Sequence, residues 1–151
     1  AMKGPPEFAI SDAHLTGVTV ANDLRSVKAP EHALMDALHK AGYDKETIFA
    51  IKLAFEEAVT NAVKHGNRND RSKHVHIRFF VDPTRVIIGV ADEGPGFSPD
   101  AVPDPTADEN LERPCGRGIM LMSAYMDKVC YCGNGNEVWM LKEVEPHHQK
   151  R

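Results

Sequence analysis

Residues 55–67 read FEEAVTNAVKHGN, and several of them carry side chains suited to chemistry. Glu57 and Asn61 are four positions apart, which on an α-helix sets them about 40° apart on one side. Lys64 and His65 continue along that side, while Glu56 points about 100° away from Glu57 and is expected to be a surface residue. A carboxylate above a carboxamide can divide the work of a transfer reaction. The carboxylate can serve as a general base. The amide oxygen is a hard ligand suited to Mg2+, an ion that keeps several waters and binds through few protein groups together with substrate phosphates. Taken alone, the pair also fits a solvated glutamate and an asparagine near a helix end.

Two further motifs lie downstream. Asp92-Glu93-Gly94-Pro95-Gly96 directly follows an apolar run. An aspartate at a strand end can accept a hydrogen bond from an exocyclic amine, and Gly94 and Gly96 let backbone approach a flat ligand. A tight acidic turn is the plainer alternative. Gly116-Arg117-Gly118 opens an apolar helical segment. Free backbone N–H groups at such a start converge as an anion site, and Arg113 and Arg117 add positive charge. The pattern lacks Walker A spacing and does not directly follow a strand, so neither a P-loop nor a dinucleotide-binding fingerprint fits.

These residues need elements to position them. LTGVTVAN (15–22) reads as a strand, and Phe8–Ile10 allows a short one before it. Val27, Leu34, Leu38 and Ala41 recur at helical spacing over 26–41, with Gly42 as the stop. Asp44 suits the N-cap of a longer helix ending near His65 and Gly66, with Ile48, Ile51, Phe55, Ala58 and Ala62 as its apolar stripe. HVHIRFFV (74–81) alternates, and RVIIGVAD (85–92) follows a turn at Asp82-Pro83, which makes a hairpin. A third helix over 116–127 precedes KVCYC and EVWMLKEV, joined by GNGN as a second hairpin. Two hairpins and three helices predict an α+β two-layer sandwich, with a mixed, mostly antiparallel sheet and helices on one face.

Bulk properties narrow the function. At 151 residues with a formal net charge of −4, the chain is one domain without the basic surface that nucleic acid requires. No apolar run approaches the roughly 20 residues of a membrane span, and no leader opens the chain. Three cysteines, Cys115, Cys130 and Cys132, suit neither a disulfide framework nor a zinc site and predict a reducing, cytoplasmic setting. His74 and His76 are expected on the outer face of their strand.

ExxxN on a helix, DxGxG after a strand and GxG opening a helix, in that order, resemble the ATP site of the gyrase, heat-shock chaperone, histidine kinase and MutL (GHKL) superfamily. EEAVTNAVKHGN and GRGIMLMSAYMDKV are most similar to the bacterial anti-sigma-factor serine/threonine kinases. The resemblance covers residues 15–144 as the ATPase domain, with 1–14 as an extension and 145–151 as a tail. It implies a Bergerat-type ATP-binding fold, ATP and Mg2+. By it, Glu57 is the base that activates a substrate hydroxyl and Asn61 the Mg2+ ligand, with Lys64 and His65 near the phosphates. Asp92 binds the adenine amine, and Gly94 and Gly96 shape the pocket. Arg113, Gly116 and Gly118 belong to the lid around the triphosphate. ERPCGRG has one residue more between its arginine and the GxG than the family pattern, which makes Arg117 a rival to Arg113. The implied partners are an anti-sigma-factor antagonist, phosphorylated on Ser or Thr, and a sigma factor; such kinases often form homodimers.

Two alternatives accompany this reading. A histidine kinase catalytic domain needs a phosphoacceptor helical hairpin, for which the residues before the first predicted strand leave no room, and asparagine is more usual there at the position of Glu57. A non-catalytic module that binds a partner under ATP control has no need of a base.

Overall fold

The chain runs through β1 (Thr16–Ala21), α1 (Lys28–Lys40), α2 (Lys45–Thr60), a π-helical turn (Asn61–Gly66), β2 (His74–Val81), β3 (Arg85–Ala91), β4 (Lys128–Cys132) and β5 (Glu137–Glu143). The computed structural model describes residues 2, 4–94, 122–132 and 136–144. Gly96, Arg113, Gly116, Arg117 and Gly118 lie outside the described residues, as do Cys115 and most of the GNGN turn. Of the third expected helix, residues 122–127 are described: 122–125 are helical, and 126–127 form a bend that ends the helix two residues earlier than expected.

The strands form one sheet in the order β1-β2-β3-β5-β4. The described pairings are all antiparallel, so the mixed character expected of the sheet is not found among them. Both hairpins form, and the return from β3 to β5 leaves β1 and β4 at the edges.

Local signals explain the helix boundaries. Asp23 Oδ1 accepts from the Ser26 N–H at 2.7 Å, which holds a turn there and delays α1 to Lys28. The helix ends with Gly42 at φ 89, and the Tyr43 N–H reaches back to the Leu38 carbonyl at 3.2 Å. That is a Schellman motif, and Leu38 and Tyr43 pack in the same core cluster. Asp44 Oδ1 accepts from the Thr47 N–H at 2.8 Å and starts α2.

The main core lies between the helices and one face of the sheet. Ile48, Ile51, Phe55, Ala58 and Ala62 meet Val75, Ile77, Phe79, Ile88, Val90 and Met140 there. A second cluster, Phe8, Leu15, Ile87, Trp139 and Leu141, occupies the opposite face. The N-terminal segment covers that face, so β3 is buried on both sides and reads as an almost unbroken apolar run. The short strand allowed at Phe8–Ile10 does not form. Pro6–Phe8 is a 3-10 turn that begins on proline and ends at Ala9 in the left-handed region, φ 52. Proline sets φ near −65° and has no N–H to give a ladder, which favours the turn. Arg85 Nη1 donates to the Phe8 carbonyl at 2.7 Å and holds the segment down.

Gly89 pairs with Trp139, and a Cβ on Gly89 would lie 2.7 Å from the indole ring. Gly89→Ala is expected to cost about 1–3 kcal/mol, because the ring is fully buried and cannot yield. A urea titration followed by the fluorescence of Trp139 checks it; an unchanged midpoint counts against this packing.

Candidate functional site

Glu57 and Asn61 share one edge of α2 as their spacing predicts, and both are half-buried. The Asn61 N–H donates to the Glu57 carbonyl, so one regular turn links the pair. Asn61 Nδ2 is buried and has no hydrogen-bond partner among the described residues. Beyond Asn61 the chain departs from the expected α-helix. The Asn67 N–H donates to the Ala62 carbonyl at 2.8 Å, a span of five residues, and 61–66 wind as a π-turn. Such widened turns recur at functional sites. The extra residue alters the phase of Lys64 and His65 relative to a continued α-helix; both are exposed at the end of the turn. Glu56, expected at the surface, is half-buried instead. It neighbours Glu31 of α1, whose carboxyl is raised above its ordinary value by burial first, then by a hydrogen bond and repulsion from Glu56.

The π-turn ends against the loop after β3. A Cβ on Gly66 would overlap the Asp92 carboxylate, and one on Gly94 would overlap the Gly66 carbonyl oxygen. Glycine is required at both places by this close approach. Asp92 Oδ1 accepts from the Gly94 N–H at 2.8 Å. Its own N–H donates to the Asn136 carbonyl at 2.9 Å, and Asn136 Nδ2 donates back to the Asp92 carbonyl at 3.2 Å. Burial raises the Asp92 carboxyl above its ordinary value, opposed by the Gly94 N–H and by Lys73. The structure therefore brings the turn bearing Lys64 and His65 against Asp92 and Gly94, next to the Glu57–Asn61 edge.

Comparison with known proteins assigns the chain to a family. A family model described as the histidine kinase-like ATPase domain matches residues 20–142. The chain belongs to that family. Among curated relatives, the serine-protein kinase RsbW of Bacillus subtilis is 38% identical over 98 residues, 60% of each chain. RsbW of Bacillus licheniformis is 33% identical over 121 residues, 71% of this chain and 74% of the relative. The chain thus spans about 60% of the length of the first of these relatives. A crystal structure of the RsbU and RsbW domains of a Mycobacterium tuberculosis protein superimposes with TM-score 0.57 at 17% identity, covering 85% of this chain and 31% of that one. That likeness concerns the fold.

The description of the matched family, which spans most of the protein, is that of an ATPase domain. Among its described residues, no helix is long and apolar enough to cross a membrane. The domain also holds polar residues near Asp92 that sequence reasoning missed. Asn67 and Asn22 are buried, at 0% and 4% exposure, and are hydrogen-bonded to each other. Asn67 closes the FEEAVTNAVKHGN stretch, where an asparagine after glycine reads as a turn residue; nothing local signals burial. Glu93 Oε1 accepts from the His74 N–H at 2.9 Å, and Oε2 lies 2.9 Å from His76 Nε2. The contact with His76 is the leading reason that the Glu93 carboxyl is held below its ordinary value. Asp92 and Glu93 thus diverge: one faces the close contact with Gly66, the other joins the histidines at the open face of β2.

Proposed function

We propose that this domain transfers the γ-phosphate of ATP to a serine or threonine of a small anti-sigma-factor antagonist, and that in another state it holds a sigma factor. The observation that supports the reading is that the π-turn which continues the Glu57–Asn61 edge packs against the Asp92 loop where Gly66 meets Asp92. The serine-protein kinase names of its relatives support the same chemistry.

In this mechanism Glu57 takes the proton of the attacking hydroxyl. Asn61 would hold Mg2+ through its amide oxygen, a hard ligand of the kind that ion takes, while its buried Nδ2, without a partner among the described residues, is left to donate to a phosphate oxygen. When bound, Mg2+ neutralises charge on the phosphate oxygens. Lys64 and His65 are exposed at the end of the turn; Lys64 adds positive charge beside the phosphates, and the His65 ring offers an N–H to them. Asp92 accepts from the adenine amine, and the bare backbone of Gly94 and Gly96 lets the base lie close. Gly116 and Gly118 supply N–H groups to the triphosphate, with Arg113 or Arg117 as the cationic contact. The proposed setting is the cytoplasm, where ATP is available.

Incubation with labelled ATP and a candidate antagonist domain tests the reading. The expected product is phosphoserine or phosphothreonine on the antagonist. Label that stays on this chain as acid-labile phosphohistidine, or no transfer to any antagonist domain, overturns it.

A further inference from the structure

Asn67 uses its whole amide. Oδ1 accepts from the Glu93 backbone N–H at 2.7 Å. Nδ2 donates to Asn22 Oδ1 and to the His74 carbonyl, each at 2.9 Å. The residue is fully buried, at 0% exposure. One side chain therefore ties together the end of the π-turn, the start of β2, the residue after β1 and the loop after β3. The set demands an amide of this length. One acceptor meets a donor and two donors meet acceptors; an aspartate has no N–H to give, and a glutamine adds a methylene to a filled site.

The position of this bond matters for the proposed nucleotide site. Gly66 lies one residue before Asn67, and Asp92 one residue before Glu93. The Asn67–Glu93 bond thus sits directly beside the Gly66–Asp92 contact. Asn22 lies on the other side of the amide and reaches away from the loop, with Nδ2 donating to the Asp70 carbonyl at 3.0 Å.

We propose that Asn67 is a positioning residue of the nucleotide site, holding the Asp92–Gly94 loop in register with the turn that carries Asn61, Lys64 and His65. It touches neither adenine nor phosphate. It sets the spacing between the group that reads the base and the groups that face the phosphates, and a site held loosely by its supporting residues loses affinity. The inference rests on the nucleotide site proposed above.

The test compares Asn67→Ala with Asn22→Ala in the full chain. Both remove part of one buried network and both are expected to lower the urea midpoint. Amide hydrogen exchange at Glu93 and calorimetric titration with Mg-ATP separate them, at a temperature where each is folded. Asn67→Ala is expected to release the Glu93 amide and to weaken ATP binding about tenfold or more. Asn22→Ala is expected to keep the Glu93 amide protected and to bind within about threefold of the parent. Should Asn67→Ala not fold, Asn67→Ser removes the same bond with a smaller void, and the same outcome is expected. A Glu93 amide that stays protected in these Asn67 variants, or equal affinity losses in the Asn67 and Asn22 variants, overturns the positioning role while the nucleotide site stands. A released Glu93 amide with unchanged ATP affinity overturns the placement of the nucleotide here, and the proposal with it.

Discussion

Glu57→Ala is expected to remove phosphoryl transfer to the antagonist while ATP still binds. A positioned general base contributes about 10²–10⁴-fold to a rate, so single-turnover transfer should fall by that factor. The fold should not change. Glu57 is half-buried at the edge of α2, and alanine is the best helix former, so the backbone bond from the Asn61 N–H to the residue 57 carbonyl persists. ATP affinity should stay within about threefold, because the carboxylate acts on the hydroxyl rather than on the nucleotide. Glu56→Ala is the matched control. It removes the like-charged neighbour of Glu31 and leaves the Glu57–Asn61 edge intact, so transfer is expected to continue at the parent rate. A Glu57→Ala protein that phosphorylates as fast as the parent removes glutamate 57 from the base role.

Asp92→Asn is expected to have opposite effects on binding and on folding. A carboxylate that accepts from an adenine amine makes a charge-assisted hydrogen bond worth about 1.5–3 kcal/mol, so its loss should weaken ATP binding about tenfold to a hundredfold. An amide turned to give its N–H would face the donor with another donor. The folding effect follows from burial, which raises the Asp92 carboxyl above its ordinary 3.8. A carboxyl raised in the folded state favours folding while protonated. That contribution is complete below the ordinary value and is lost as pH rises through the raised one. At neutral pH the ionised group therefore carries a desolvation cost that asparagine lacks. The variant should be at least as stable as the parent at pH 7, and the difference should shrink toward acid. Calorimetric titration with Mg-ATP and urea unfolding across pH 3–7 measure both. Unchanged affinity removes the adenine role, and a variant less stable at pH 7 contradicts the burial argument.

Much of this arrangement can be read from neighbours in sequence. Helical phase alone separates Glu57 from Glu56 and joins it to Asn61. Gly42 and Asp44 mark the break between the helices because their conformations answer local needs, a left-handed residue and a side-chain cap. Val75, Ile77 and Phe79, alternating in HVHIRFFV, identify the inward face of β2. The N-terminal segment was less legible: Pro5, Pro6 and Gly4 signal irregular backbone but not that Phe8 and Leu15 would bury Trp139 from the far side. Glu56 also misleads, since phase removes it from the Glu57 edge but cannot foresee that α1 brings Glu31 against it.

The π-turn shows where local reasoning ends. Residues 61–66 have an ordinary helical composition, and it is the Asn67 N–H bonding five residues back that widens the turn. Asn67 is held there by Glu93, Asn22 and His74, partners from 7 to 45 residues away in the chain. Helix, strand and cap signals act over a few residues, so the chain's own order suffices for the elements and for the motifs they carry. The contact of Gly66 with Asp92, the burial of Asn67 and the covering of Trp139 arise from segments that meet only once the sheet is built, because close packing leaves room for one arrangement of them.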